Sequence, residues 1–342
     1  MVYRFTSYTM LRKYLEISRF FNMGLTGVAP VLGALSMWGI GETHLYKLIV
    51  LFAIGCFSHV YGFVINDVVD IKVDKLSREL ITRPLVSGTI TRKKATYFAI
   101  SCMIASFLLS IFFFNEMISY LILISILILA YILATTYDIA SKKYPGMDIF
   151  VASAVFFLII FGANTVATPS TLAWIVAFIG GLQVLFMNMI NGAIKDIDHD
   201  AKGLANTLAI KLGAGTKGGI VKLPLSFKTI GYLIEVSRSF LIFFPFIFIT
   251  PALKFQYWQI TLLIILTVLT FFSIYKLFSV KKFDRNRIRK FIGVTVIFMY
   301  STTPIMLSSL NLYIILVAFV PPLWFISSNI MLHKTIFEPK TM

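Results

Sequence analysis

The sequence predicts an all-α, polytopic membrane protein, a bundle of nine to ten transmembrane helices, and three observations predict it. Hydrophobic residues fill 58% of the 342 positions and charged residues only 13%, with a mean hydropathy of +0.87; soluble domains carry about 25% charge. Apolar runs of about 20 residues, the length that crosses a hydrocarbon core, recur along the chain. Finally, Lys and Arg gather on alternate sides of those runs.

Ten candidate spans cover 20–41, 46–65, 95–114, 116–136, 149–167, 171–194, 231–253, 257–275, 291–309 and 311–332. Of the 31 Lys and Arg residues, only Lys47 and Lys254 lie on the side opposite the amino terminus. The positive-inside rule then puts the amino terminus and the loops 66–94, 137–148, 195–238 and 276–290 in the cytoplasm. The net charge of +16 is therefore an orientation signal with some affinity for anionic lipid, and no nucleic-acid partner is expected. Cys56 and Cys102 both fall inside spans, so no disulfide framework or zinc pattern exists.

Residues 1–19 have no apolar core and mix Leu11, Tyr14, Leu15 and Ile17 with Arg12, Lys13 and Arg19, as a short helix on the cytoplasmic interface would. Residues 20–332 form the transmembrane domain and 333–342 a tail. The first span carries Gly24, Gly27, Gly33 and Ala34, small residues that let membrane helices approach closely. The second delivers Asn66-Asp67-Val68-Val69-Asp70-Ile71-Lys72-Val73-Asp74 at the membrane surface. A polar loop with Arg83-Pro84-Leu85 and Gly88 follows. The fourth span returns at Tyr137, with Asp138, Lys142 and Lys143 behind it. The fifth and sixth repeat the pattern of the first and second and end in Lys195-Asp196-Ile197-Asp198-His199-Asp200, so the chain divides into two pseudo-repeated four-helix halves. Residues 213–219 resemble a phosphate-binding loop superficially, but without its Lys-Ser/Thr ending they are expected as a flexible linker. Pro245, Pro251, Pro304 and Pro321-Pro322 should kink the later spans, and the basic run 281–287 is expected to set orientation.

The chemistry lies in the two acidic stretches. On a helix Asn66, Asp70 and Asp74 recur at i, i+4 and i+8, and Asp196 and Asp200 likewise share a face. Carboxylates so closely spaced repel unless a cation neutralises them. All-oxygen donors suit Mg²⁺, Mn²⁺ or Ca²⁺. The candidate metal-holding residues are Asn66, Asp67, Asp70, Asp74, Asp196, Asp198 and Asp200, with Asp67, Asp70, Asp196 and Asp200 central to catalysis. Two divalent ions would still leave six carboxylates net negative, so a diphosphate ligand would also need nearby cations. Arg83, Lys142, Lys143 and Lys195 are the candidates.

Asn66, Asp67, Asp70 and Asp74 match in full the pattern Asn-Asp-x-x-Asp-x-x-x-Asp of the UbiA superfamily of intramembrane prenyltransferases, and Asp196 and Asp200 match its Asp-x-x-x-Asp. Arg83-Pro84-Leu85 and Gly88 resemble the segment that follows the first motif. Tyr137 with Lys142 resembles the family's Tyr…Lys element, which adds Tyr137 to the diphosphate-binding candidates. The resemblance covers residues 19–310 or so. It implies an all-helical bundle, commonly of nine spans, with two Mg²⁺ ions between the motifs. It further implies transfer of a prenyl chain from an isoprenoid diphosphate to a lipophilic or aromatic acceptor. Quinone-precursor rings lead the acceptor classes, with the glycerol phosphate of archaeal-type ether lipids close behind. A cyclase or hydrolase of the same fold is the nearest alternative. An ion-coupled transporter is the other, disfavoured because no carboxylate is expected near the centre of a span.

Overall fold

The computed structural model describes residues 2–75, 80–115, 120–202, 205–249 and 256–335; Arg78, Pro251 and Lys254 lie outside them. A first helix, α1 (Val2–Ile17), leads through a short 3₁₀ turn, Phe20–Asn22, into α2 (Met23–Leu35). Then follow α3 (Leu45–Asp74), α4 (Arg92–Phe114), α5 (Tyr120–Ala140) and α6 (Asp148–Asn164). The next rod is α7 (Thr171–Phe186), a π-helical turn Met187–Gly192, and α8 (Ala193–Lys202), with the short α9 (Leu208–Lys211) behind it. After a hairpin come α10 (Leu225–Phe248), α11 (Tyr257–Phe278) and α12 (Arg285–Leu307), then a 3₁₀ stretch Leu312–Phe319 that runs into α13 (Val320–His333). Among the described residues eight segments are long and apolar enough to cross a membrane. Two shorter apolar helices, Phe20–Leu35 and Asp148–Asn164, stand where the first and fifth spans were expected.

Helix α4 packs the other way round from a helix of a soluble bundle. On α4 the buried face is the small-residue stripe Ala95, Ala99, Cys102, Ser106 and Ser110, laid against α3, while Ile104, Leu108, Ile111 and Phe112 point outward. Small residues bring the backbones together, and the large apolar ones suit a hydrocarbon solvent. The two shorter helices lie at the centre, where α2 crosses α6. A Cβ on Gly33 would overlap the Ile159 carbonyl, and one on Gly162 would overlap the Pro30 carbonyl. That reciprocal contact relates the leading helices of the two halves. Gly162→Ala is expected to cost more than the ~1–3 kcal/mol of ordinary overpacking, because carbonyls of a central helix cannot step aside. A thermal-unfolding midpoint within a degree of wild type would contradict it.

The first and last described helices meet: Trp324 Nε1 donates to the Phe20 carbonyl (2.7 Å), and Arg12 Nη2 donates to the Leu332 carbonyl (2.6 Å).

Two sequence expectations need correction here. Residues 213–219 are no flexible linker: β1 (Gly215–Lys217) and β2 (Ile220–Lys222) pair antiparallel. The turn between them is Gly218-Gly219, with φ of 59° and 77°. Two consecutive left-handed residues are what a tight hairpin demands. The hairpin is pinned to the α11–α12 connection by Val221 N to the Lys281 carbonyl (2.9 Å) and Phe283 N to the Gly219 carbonyl (2.8 Å). Second, a carboxylate does sit inside a span: Glu235 and Arg238, the latter counted among the loop charges, are both fully buried within α10.

Candidate active site

Both acidic stretches ride on helix ends that run on past an apolar run. α3 continues without a break from Leu45 to Asp74, so Asn66, Asp67, Asp70 and Asp74 project from its last turns. The second stretch is carried by α8, joined to α7 through the π turn. Such turns add a residue and re-aim the helix beyond, and they gather at functional sites. Here Asp196 and Asp200 come to line the same cavity as Asn66, Asp67, Asp70 and Asp74.

That cavity has a volume of about 310 Å³. Its charged part is built by α3, α5 and α8, the residues just before α2, the connections that follow α3 and α5, and the first residues of α6 and α12. Its deeper part is mostly apolar, with Leu25 of α2, Ala130 and Ala134 of α5, and Val155 and Leu158 of α6, beside Thr26, Ser58 and Tyr131. The sequence order fixes the depth: Ser58, the deepest lining residue on α3, lies twelve residues before Asp70, about 18 Å along a helix.

Protein cations already hold most of the carboxylates. Arg19 Nη2 meets Asp67 Oδ1 at 2.7 Å, Arg83 Nη1 meets Asp74 Oδ2 at 3.0 Å, and Lys142 Nζ meets Asp200 Oδ1 at 2.7 Å. Lys195 Nζ lies 3.5 Å from Asp196 Oδ2, and Arg285 Nη2 lies 2.7 Å from Asp198 Oδ1. The cost of burying Lys142 is outweighed by Asp200, Asp196 and Asp70, so its ammonium sits above the ordinary lysine range. Burial pushes the Asp74 carboxyl up, against the pull of Arg83. With cations inserted between them, no three acidic or imidazole side chains among the described residues converge closely enough to hold a metal ion as they stand. The donor set nevertheless suits a hard divalent cation, being carboxylates and an amide with no thiol. Asp138 Oδ2, buried and without a hydrogen-bond partner, also lines the cavity.

Of the expected diphosphate ligands, Arg83, Lys142, Lys195 and Tyr137 line the cavity. Lys143 does not: its side chain is exposed, and what it contributes is its carbonyl, which accepts from Asn206 Nδ2 at 3.2 Å. Asp198 also departs from expectation. Two residues on from Asp196 it turns to the other side of α8, off the cavity lining, and meets Arg285.

Three participants escaped the sequence reading. Arg19 precedes α2 in a left-handed conformation (φ 47°), its guanidinium 4.8 Å above the Phe63 ring. Its carbonyl accepts from His59 Nε2 (3.3 Å), which fixes the tautomer, so that Nδ1 accepts from the Thr26 hydroxyl (3.0 Å). Arg285 looked like one more orientation charge in a basic run. Asp138 adjoins Tyr137 but belongs to neither acidic stretch. The helical i, i+4 rule could not find any of the three, since each arrives from another element.

Residues 27–302 match the model of the UbiA prenyltransferase family. The chain belongs to that family. Among relatives, the digeranylgeranylglyceryl phosphate synthase of Saccharolobus solfataricus is 28% identical over 254 residues, 69% of this chain and 84% of that protein. The synthase of the same name from Methanosphaera stadtmanae is 28% identical over 59% of this chain and 70% of that protein. The one from Pyrococcus horikoshii reaches 36%, but over only 31% of its own length. A UbiA homologue from Archaeoglobus fulgidus bound to GPP and Mg²⁺ superposes with a TM-score of 0.62 at 19% identity, covering 86% of this chain and 99% of that one. As a UbiA-family protein the chain is a multi-pass membrane prenyltransferase. The preference for a quinone-type acceptor finds no support among these relatives, whose shared name points to glyceryl phosphate.

Proposed function

We propose that this UbiA-family protein transfers a geranylgeranyl chain from its diphosphate to a glycerol phosphate that already carries one such ether chain. The observation that carries the reading is a cavity with carboxylates and cations at one end and mostly apolar walls below. A substrate with a diphosphate head and a long isoprenoid tail has that polarity. The shared name of the relatives supports a glyceryl phosphate as the acceptor.

The roles follow from the contacts. Asn66, Asp67, Asp70 and Asp74 on α3, with Asp196 and Asp200 on α8, would hold Mg²⁺, which when bound supplies positive charge to the leaving oxygens. Arg83, Lys142 and Lys195 reach the same space and would bind diphosphate oxygens, with Tyr137 beside them on the wall. Leu25, Ala134, Val155 and Leu158 keep water from the allylic carbon while it carries charge. The carbon–oxygen bond to diphosphate breaks with its electron pair going to the leaving oxygen. The acceptor hydroxyl oxygen forms the new bond and its proton leaves with the diphosphate. By the positive-inside distribution, this chemistry faces the cytoplasm.

The experiment uses the purified protein in lipid nanodiscs with geranylgeranyl diphosphate and Mg²⁺. Diphosphate release is followed against geranylgeranylglyceryl phosphate and a set of aromatic acids. Release and a dialkyl product with the glyceryl phosphate alone, both stopped by EDTA, are expected. A prenylated aromatic product would overturn the acceptor, and release with no acceptor would favour a cyclase or hydrolase.

A further inference from the structure

Charge accounting around the cavity leaves a remainder. Asp67, Asp74, Asp196, Asp198 and Asp200 each have a protein cation within 4 Å. Asp70 of α3, Asp138 of α5 and Asp148 at the start of α6 line the cavity and, among the described residues, make no ion pair; of these, Asp138 is the one whose burial is nearly complete. Asp138 is 4% exposed, and its Oδ2 is buried with no hydrogen-bond partner. The Asn66 side chain is its hydrogen-bond neighbour, and Asp70 and Asp67 lie close enough to act on it through space. α3 and α5 pack directly together. A buried carboxylate oxygen that no donor reaches is costly unless something else neutralises it.

We propose that Asp138 is a further oxygen donor for a divalent cation, closing from α5 the site that Asn66 and Asp70 open on α3. The cations already paired with the other carboxylates stay with them until a diphosphate arrives. The Asp70–Asp138 pair is where the uncompensated negative charge draws the first metal ion. Carboxylate and amide oxygens from two neighbouring helices give the hard, oxygen-only donor set that Mg²⁺ and Mn²⁺ share. This rests on the prenyltransferase reading only for the identity of the metal.

The test is metal binding without any substrate. Full-length protein is titrated with Mn²⁺ in nanodiscs, with free ion read by electron paramagnetic resonance and thermal midpoints taken with and without metal. Asp138→Asn is expected to weaken the tightest Mn²⁺ site at least about tenfold. It should unfold no earlier than wild type without metal, because a buried oxygen with no hydrogen-bond partner has been replaced. Asp138→Glu, which keeps the charge, should retain a Mn²⁺-induced rise in midpoint that Asp138→Asn lacks. Wild-type Mn²⁺ affinity in Asp138→Asn would overturn the assignment, as would an unaltered Mn²⁺-induced rise. Neither outcome touches the acceptor experiment, which reads product.

Discussion

Asp70→Asn is expected to lower kcat by at least about 10³-fold while the protein stays folded and inserted. The loss expresses several kcal/mol of charge stabilisation on the leaving oxygens that can no longer be assembled. Its stability should not fall, because Asp70 makes no ion pair among the described residues and nothing is stranded when its charge goes. Asp67→Asn makes the informative contrast. It removes the partner of Arg19, 2.7 Å away, and a second contact of Arg83 at 3.6 Å. Arg19 sits with its pKa raised above the ordinary value: burial alone would lower it, but Asp67, through its charge and its hydrogen bond, more than offsets that. Stranding a buried cation costs about 3–5 kcal/mol. Asp67→Asn should therefore lose both turnover and thermal stability. Diphosphate-release rates and unfolding midpoints on the two variants check this together. Full turnover in Asp70→Asn would remove the first motif from the chemistry.

What the sequence revealed depended on how local each signal was. The spans and both acidic faces were legible because hydropathy and the i, i+4 rule act within one helix. Arg19, Asp138 and Arg285 were not, because their roles arise only once α2, α5 and α12 are packed around α3 and α8. Arg285 was further hidden by its setting, since a basic run at a span end has topology as its ordinary explanation. The Gly218-Gly219 hairpin was readable in principle. Two adjacent glycines between Thr216-Lys217 and Ile220-Val221 are a turn signal, but the run's likeness to an incomplete phosphate-binding loop suggested a linker. Lys143 shows the limit of proximity in sequence, since its neighbour Lys142 takes the inward position on the same turn.

Glu235 and Arg238 bear on whether carboxylates inside the bundle mark an ion path. Glu235 sits mid-way along α10, where a transporter would place a coupling residue. Its surroundings argue otherwise. Arg238 grips it with two bonds, Nη2 to Oε1 at 2.7 Å and Nε to Oε2 at 2.9 Å. Ser239 Oγ donates to Oε1 at 3.1 Å. Arg238 Nη1 then spends its donors on α12, reaching Thr302 Oγ1 at 2.9 Å and the Met299 carbonyl at 3.2 Å. Both side chains are fully buried and off the cavity lining, so the pair is a clasp between α10 and α12 closed off from the cavity. Glu235→Gln leaves Arg238 charged with half its fork unanswered, and Arg238→Met strands the carboxylate. Each is expected to cost about 3–5 kcal/mol. The double variant Glu235→Gln/Arg238→Met should cost far less than the sum, since no unpaired charge remains. A double-mutant cycle on unfolding midpoints measures the coupling. Additive costs would mean that the two charges are held by groups other than each other, and would return Glu235 to the candidates for an ion path.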